Sequence, residues 1–402
     1  MSIRHKRSEN TMLPLTDAVR RDSSLTPSTL SVRTKADPST IRTTNKMLIF
    51  GLLYPNKAMS RAEISRDAGL ARMSVTDVVS EMMNDGLLVE TGSVPLAGRG
   101  KRPTLLTINA NALNIVSIDL SQPYLIQGGV TDLTGKMIHR AEQPVPDDIP
   151  LDPQGVVDLC MQLIPHATAP ILGVGVACPG IIASDGVVVE SANLGWTNVD
   201  LKTRMEQDFH LPVQIDNDAN SALLAQRYLG GGSKDEIFVH IGRGLGAAVL
   251  IDDCLVNGTH HAAGEIGHVG LYPNQPECSC GNHGCLDRML SVPTVRESIR
   301  NIPDAKERIL SAAGEFLGYA LALSASLLDV AQITVYGPPD FVNNTFIDAI
   351  RNTIESMVVP AYRQHMNITR CQLGDDVAIL GESISVITRR IPDFHQRSAF
   401  GQ

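Results

Sequence analysis

The sequence predicts an α/β protein with a winged helix-turn-helix at its N-terminal end, and three observations carry that prediction. Residues 39–108 read as helix, helix, short turn, helix and a hairpin with a basic tip. Residues 109–402 alternate strands and helices, the pattern of an α/β body. Within that body, His268, Cys278, Cys280 and Cys285 fall close enough together to hold one metal ion.

Residues 1–38 are rich in Ser, Thr, Pro and charge without sustained periodicity, which predicts a mobile tail. In residues 39–108, Met47, Leu48, Phe50, Leu52 and Leu53 give a first apolar helix that stops near Pro55. Ser60-Arg61-Ala62-Glu63 is a capping box for a second helix, which carries Ile64 and Ala68 and ends at Gly69. Ser74 is expected to cap a third helix, with Val75, Val78, Val79, Met82 and Met83 inward and Gly86 at its end. Leu87–Glu90 and Thr104–Ile108 then read as two strands around the cationic segment Gly98-Arg99-Gly100-Lys101-Arg102-Pro103. A helical interaction module would need neither the short Gly-containing turn nor the basic loop, so DNA binding is the expectation. Arg72, Ser74, Thr76 and Asp77 stand at the start of the third helix, where such motifs reach base edges in the major groove. Arg99, Lys101 and Arg102 suit phosphates or a minor groove.

In the body, Val116–Asp119, Gln127–Asp132 and Lys136–Gln143 look like a three-stranded meander. Residues 152–164 are helical, and Gly173–Ala177 is a buried strand. Val213–Asp216, Ile237–Ile241 and Ala247–Ile251 are expected to form a second sheet. Apolar helices follow through Ala312–Leu328 and Thr345–Ala361.

Charge is unevenly divided. Residues 1–108 hold 16 Lys/Arg against 10 Asp/Glu, a net of +6, whereas the whole chain is −9, which leaves −15 for the rest. A basic head on an acidic body predicts that the head alone meets a polyanion. No apolar run reaches the roughly 18 residues of a membrane span, and Met1–Asn10 lacks the apolar core of a signal peptide. Seven cysteines, three of them in a metal pattern, fit a reducing cytoplasm.

The cluster reads H-x9-C-x-C-x4-C. Zinc takes four tetrahedral Cys and His ligands, and a structural site closes all four positions with protein. Cysteines two apart make an awkward disulfide, so one structural zinc per chain is expected.

Gly264-Glu265-Ile266-Gly267-His268 followed by Cys278-Ser279-Cys280-Gly281-Asn282-His283-Gly284-Cys285 resembles the signature of the ROK family of repressors and sugar kinases, and the likeness runs over nearly the whole chain. It implies that the body is a two-lobed, actin-like sugar kinase (ribonuclease H-like) domain, so that the divisions are a tail at 1–38, a winged helix-turn-helix at 39–108 and a sugar-binding domain at 109–402. It also implies that the metal loop does no chemistry but holds Glu265 and His268 against a sugar. The family usually has Glu two residues after the last Cys; Asp287 stands here, keeping the carboxylate with a shorter reach. Cys178-Pro179-Gly180, Asn193-Leu194-Gly195-Trp196 and Asn217-Asp218-Ala219-Asn220 match the family's other sugar-binding elements. They assign Asn193, Asn217 and Asp218 to the sugar, Asp218 being the catalytic base in the kinases. Read alone, the last segment is a helix cap through Asp216 or Asp218, and Trp196 serves packing as readily as ligand contact.

The nucleotide loops depart from the family. Its first phosphate loop, D-x-G-G-T, is Asp119-Leu120-Ser121-Gln122-Pro123 here. Its second, G-T-G-x-G, is Gly242-Arg243-Gly244-Leu245-Gly246, and Gly337-Pro338-Pro339 replaces the adenosine-side glycines. Phosphoryl transfer depends on positioning by such backbone, and prolines remove amide donors. The expectation is therefore no catalytic residue, with Asp218 a vestigial base. The chain reads as a cytoplasmic, sugar-responsive repressor of carbohydrate genes that binds double-stranded operator DNA as a homodimer or dimer of dimers, with no membrane partner. The alternatives are an ATP-dependent sugar kinase carrying a DNA-binding domain, and a regulator that senses a protein partner.

Overall fold

The computed structural model describes residues 38–93, 103–122, 124–145, 150–271, 276–278, 280–363 and 365–394. The chain divides into two compact units, Met1–Ile41 and Arg42–Gln402. Helix α1 (Pro38–Leu53) supplies the only described residues of the first unit.

The second unit opens with a head of helices and one small sheet. Ile49, Phe50 and Leu53 of α1 are buried. Strand β1 (Met59–Ser60) runs into α2 (Arg61–Ala68), and the capping box is complete: Ser60 Oγ accepts from Glu63 N at 3.3 Å, and Glu63 Oε2 accepts from Ser60 N at 2.8 Å. Gly69 ends α2 in the left-handed region, at φ 66°. Helix α3 (Arg72–Asn84) buries Val75, Val78, Val79 and Met82. It starts earlier than the expected Ser74 cap. Ala71 is the extended N-cap residue, with no side-chain cap, and Val75 N already donates to Ala71 O at 3.1 Å, which leaves Ser74 inside the first turn.

Strand β2 (Leu88–Ser93) pairs antiparallel with β3 (Thr104–Ile108), and β1 pairs with the far edge of β3, giving the order β1-β3-β2. A two-residue strand such as β1 has no period to read in sequence. Residues 94–102, with Arg99, Lys101 and Arg102, lie outside the described residues.

Two five-stranded sheets build the body. In the first, β4 (Asn114–Asp119), β5 (Leu125–Asp132) and β6 (Met137–Pro144) form the expected meander. Helix α4 (Pro153–Leu163) precedes β7 (Ile171–Cys178), which lies parallel to β4. A small side sheet of β8 (Ile181–Ile182), β9 (Val188–Ser191) and β10 (Trp196–Val199) follows. Helix α5 (Leu201–Phe209) then returns the chain to β11 (Val213–Asn217), parallel to β7. Here the sequence expectation is corrected: β11 closes the first sheet and does not join the second. The α5 crossover places it beside β7, a choice made by tertiary packing and invisible to periodicity.

Helix α6 (Asp218–Leu229) leads to the second sheet, ordered β14-β13-β12-β15-β16. Its strands are β12 (Glu236–Ile241), β13 (Leu245–Ile251), β14 (Cys254–Leu255), β15 (Gln332–Tyr336) and β16 (Asn367–Arg370). Around it lie α7 (Leu286–Leu290), α8 (Val292–Asn301), α9 (Lys306–Leu328), α10 (Asn344–Met357) and α11 (Pro360–Arg363). Contrary to the expectation from sequence, the segment Pro303–Leu328 is long enough to cross a membrane and holds an 18-residue window of mean hydropathy 1.3. Its Leu310, Leu317 and Leu321 are buried in the core of the second sheet.

The last helix, α12 (Val377–Arg390), packs on α6, β4 and β7. Ser383 Oγ lies 3.0 Å from Ser117 Oγ and 2.8 Å from Thr131 Oγ1, and Glu382 accepts from Ser221. Beyond these polar contacts Ile384, Val386, Ile387, Ile391 and Phe394 share one core with Ile49, Phe50, Leu53 and Ile64 of the head. α12 therefore packs on the body's first sheet and, with the residues just after it, shares a hydrophobic core with the head.

Candidate ligand pocket and metal centre

The pocket forms where strands end. After β7 the chain turns at Pro179-Gly180; Gly180 has φ 110°, and a Cβ there would lie 2.2 Å from the Glu190 carbonyl oxygen, so only glycine fits. Asn217 ends β11 and caps α6: its Oδ1 accepts from Ala219 N at 3.0 Å and Asn220 N at 3.1 Å, while its Nδ2 donates to Gly180 O at 3.0 Å. The cap is thus Asn217, correcting Asp216 or Asp218. Its extended backbone sets the carboxamide beneath the first-turn amides, and both ends of that carboxamide have protein partners.

Asp218 follows, with Oδ2 at 3.1 Å from His240 Nδ1. Burial alone would lower the His240 pKa, but the hydrogen bond to Asp218 and the charges of Asp218 and Asp119 outweigh it, and the pKa is raised. His240 was not among the residues singled out in the sequence. Its only signal was a lone histidine in an apolar strand just before the Gly-rich segment.

Two glycines aim the next pair of side chains. A Cβ on Gly264 would come within 2.0 Å of Ala247 O, and one on Gly267 within 2.0 Å of Leu245 O. The Gly264–His268 segment therefore lies against β13, and Glu265 and His268 reach the cavity. Asp287 Oδ1 accepts from Leu245 N at 2.7 Å, so one of its oxygens is committed to the protein. Burial, first among several causes, pushes the carboxyls of Glu265 and Asp287 above their usual range. Asn193, Asn217, Asp218, Glu265, His268 and Asp287 all line one cavity, with Ser191, His240 and Arg243. Trp196 does not line it. That ring is buried, and its Nε1 donates to Leu151 O at 2.6 Å, a packing role.

On the side of the phosphate-loop remnants, the Asp119 carboxylate is buried among its own neighbours. It accepts from Ser121 N at 2.8 Å and Gln127 Nε2 at 2.8 Å. Burial pushes its pKa up against these hydrogen bonds. Near the end of β15, Pro338 O accepts from Phe341 N at 3.0 Å and Val342 N at 2.8 Å, closing a turn around the two prolines.

The ligand atoms of His268, Cys278, Cys280 and Cys285 lie within 4.8 Å of one another. Cys280 Sγ and Cys285 Sγ are 3.7 Å apart, and Cys278 Sγ is 3.7 Å from His268 Nδ1. Thiolates about 2.3 Å from a tetrahedral zinc stand about 3.8 Å from each other, so the donor set fits that ion. His268 Nε2 lies 4.0 Å from Glu265 Oε2, so one ring nitrogen faces the thiols and the other the cavity. Gly281 (φ 85°) and Gly284 (φ 68°) make the turns that bring Cys285 back.

In the head, Arg72, Thr76 and Asp77 are exposed on the first turns of α3, and Ser74 is half-buried. Thr76 Oγ1 donates to Arg72 O at 2.8 Å.

A model of the ROK family matches residues 116–389. The xylose repressor of Caldicellulosiruptor bescii is 29% identical over 384 residues, covering 86% of this chain and 95% of that protein. The xylose repressor of Bacillus subtilis is 30% identical over 282 residues, covering 69% of this chain and 72% of its own length. A solved ROK family transcriptional regulator, described as a homolog of the E. coli Mlc protein, superposes with a TM-score of 0.72 at 20% identity, covering 88% of this chain and 97% of that one. At that identity the likeness speaks for the fold.

Proposed function

The chain belongs to the ROK family, and from that membership we propose that it is a sugar-responsive transcriptional repressor of carbohydrate uptake or catabolism genes. The observation that carries the proposal is the convergence of Asn193, Asn217, Asp218, Glu265, His268 and Asp287 on one cavity, in a chain that also carries a three-helix head. Carboxylates and carboxamides pair with adjacent hydroxyls, and a buried site of this kind rejects ligands that leave them unpaired. Residues 39–108 act as a winged helix-turn-helix on double-stranded operator DNA, with Arg72, Ser74, Thr76 and Asp77 at the major groove and Arg99, Lys101 and Arg102 at the backbone or minor groove. One structural zinc on His268, Cys278, Cys280 and Cys285 supports the pocket wall.

The protein works in the cytoplasm, without a membrane partner, as a homodimer or dimer of dimers on a pseudo-palindrome. The exposed apolar stripe of Tyr319, Leu323 and Leu327 on α9, the last two 73% and 81% exposed, supports self-association. It has no catalytic role: the first phosphate loop has lost its glycines, and Asp119 is enclosed by Ser121 and Gln127. The retained Asp218 favours one alternative, a DNA-tethered sugar kinase.

Sugar binding shifts the lobes and releases DNA, with a coupling of about 1–3 kcal/mol. Titrating sugar into the protein with and without operator DNA tests this, because linkage requires the operator to weaken sugar binding by the same factor. Equal affinities would remove the coupling, and ATP-dependent sugar phosphorylation abolished by Asp218→Asn would establish the kinase.

A further inference from the structure

Buried hydroxyls in the body generally have partners. Ser221 Oγ bonds Glu382 and lies 3.0 Å from Asn217 O, Ser385 bonds Asp216, and Ser383 bonds both Ser117 and Thr131. Ser121 and Ser191 are different: both line the same cavity as the residues above, and the Oγ of each has no hydrogen-bond partner. Ser191 is the more enclosed of the two, 1% exposed against 7%. It ends β9 and lies against the Pro179-Gly180 turn, where a Cβ on Gly180 would stand 2.9 Å from Ser191 Cα. Leaving a buried hydroxyl unpaired is costly, so a hydroxyl held this way at a cavity wall points to a partner that arrives with the ligand.

His240 supplies the second observation. Its ring is 5% exposed and packs edge-on to Tyr336 at 5.0 Å between centroids. Nδ1 holds one oxygen of Asp218 at 3.1 Å, and the ring borders the cavity. A carboxylate fixed through one oxygen offers the other in a defined direction, as an acceptor only.

We infer that Ser191 contacts the ligand directly and that His240 is a positioning residue that sets Asp218 to accept from a ligand hydroxyl. The inference rests on the sugar reading above and narrows it. The ligand is a polyol with a free hydroxyl, and not a phosphate ester, at the position facing Asp218. A phosphate there would meet the Asp218 carboxylate at the cavity wall.

The test is calorimetric titration of the full chain with D-xylose, D-glucose, N-acetyl-D-glucosamine and glucose 6-phosphate. For the sugar that binds, Ser191→Ala weakens affinity about 3–10-fold, the range of one hydrogen bond. The unliganded variant melts no lower than wild type, because the substitution removes an unpaired group; a merely structural serine would not separate these readouts. His240→Leu weakens binding about 10-fold, and His240→Gln, which keeps an N–H donor for Asp218, restores it to within about threefold. Wild-type affinity in Ser191→Ala and in both His240 variants, with binding lost in Asn193→Ala, overturns this inference and leaves the sugar reading standing. Preferential binding of glucose 6-phosphate over the neutral sugars also overturns it. If wild type binds none of the four, the sugar reading fails and this inference fails with it.

Discussion

Lys46 Nζ lies 2.6 Å from the carbonyl oxygen of Phe394, joining the first helix of the head to the segment just beyond α12. The ammonium is 1% exposed and also sits 3.5 Å from Glu81 and 3.4 Å from Asp85 of the head. A buried lysine is tolerated only with such partners. α12 itself packs on α6, whose first residue, Asp218, borders the ligand pocket. The helix is therefore a physical connection between pocket and head, with Ser221, Glu382, Asp216 and Arg389 as the polar links along it.

Removing the Lys46 charge should loosen that connection. Lys46→Met takes a buried ammonium away from Glu81, which keeps Arg42, from Asp85 and from the Phe394 carbonyl. A loss of about 2 kcal/mol or more is expected. Chemical denaturation measures it, and a variant as stable as wild type would show the contact to be dispensable.

The metal site predicts a stoichiometry. Elemental analysis of protein purified without chelator should give about one zinc per chain. Cys280→Ala should lower both zinc content and thermal midpoint and abolish the sugar response, because metal binding is coupled to folding of its loop. A metal-free preparation with full sugar response would refute the assignment.

The head predicts two kinds of DNA phenotype. Neutralising Arg99 and Lys101 together should weaken binding to all sequences and reduce the salt dependence by about one to two ions. Thr76→Ala should instead alter preference at one base position, by about 1–3 kcal/mol. Operator binding that survived deletion of residues 1–108 would exclude the head as the reader.

Glu382 predicts a dependence of stability on pH. Burial, with the charge of Asp216 second, raises its pKa well above the usual value despite the Ser221 hydrogen bond. A carboxyl raised in the fold contributes stability fully present below its unfolded pKa of about 4.3, and lost as pH climbs toward the folded value. Glu382→Gln cannot ionise, so its stability should fall less steeply than that of wild type from about pH 5 upward. Parallel slopes for the two proteins in thermal unfolding at pH 5, 6, 7 and 8 would count against it.

What the sequence determined by itself was local. The Ser60–Glu63 capping box joins residues three apart, and the clustered candidate metal ligands run from His268 to Cys285, so spacing and side-chain chemistry suffice to bring them to notice. The meander of β4, β5 and β6 belongs to the same class, since each strand pairs with its neighbour in sequence. Tertiary structure decided the rest. β11 beside β7, His240 against Asp218, and α12 between α6 and the head are contacts between segments whose own patterns are satisfied by more than one partner. Ser74 failed as a cap because helix α3 could begin at Ala71 without one, and Asn217 succeeded because the strand delivered it extended to the end of α6. Such choices follow from which surfaces must be buried together, and that is fixed only when the whole chain packs.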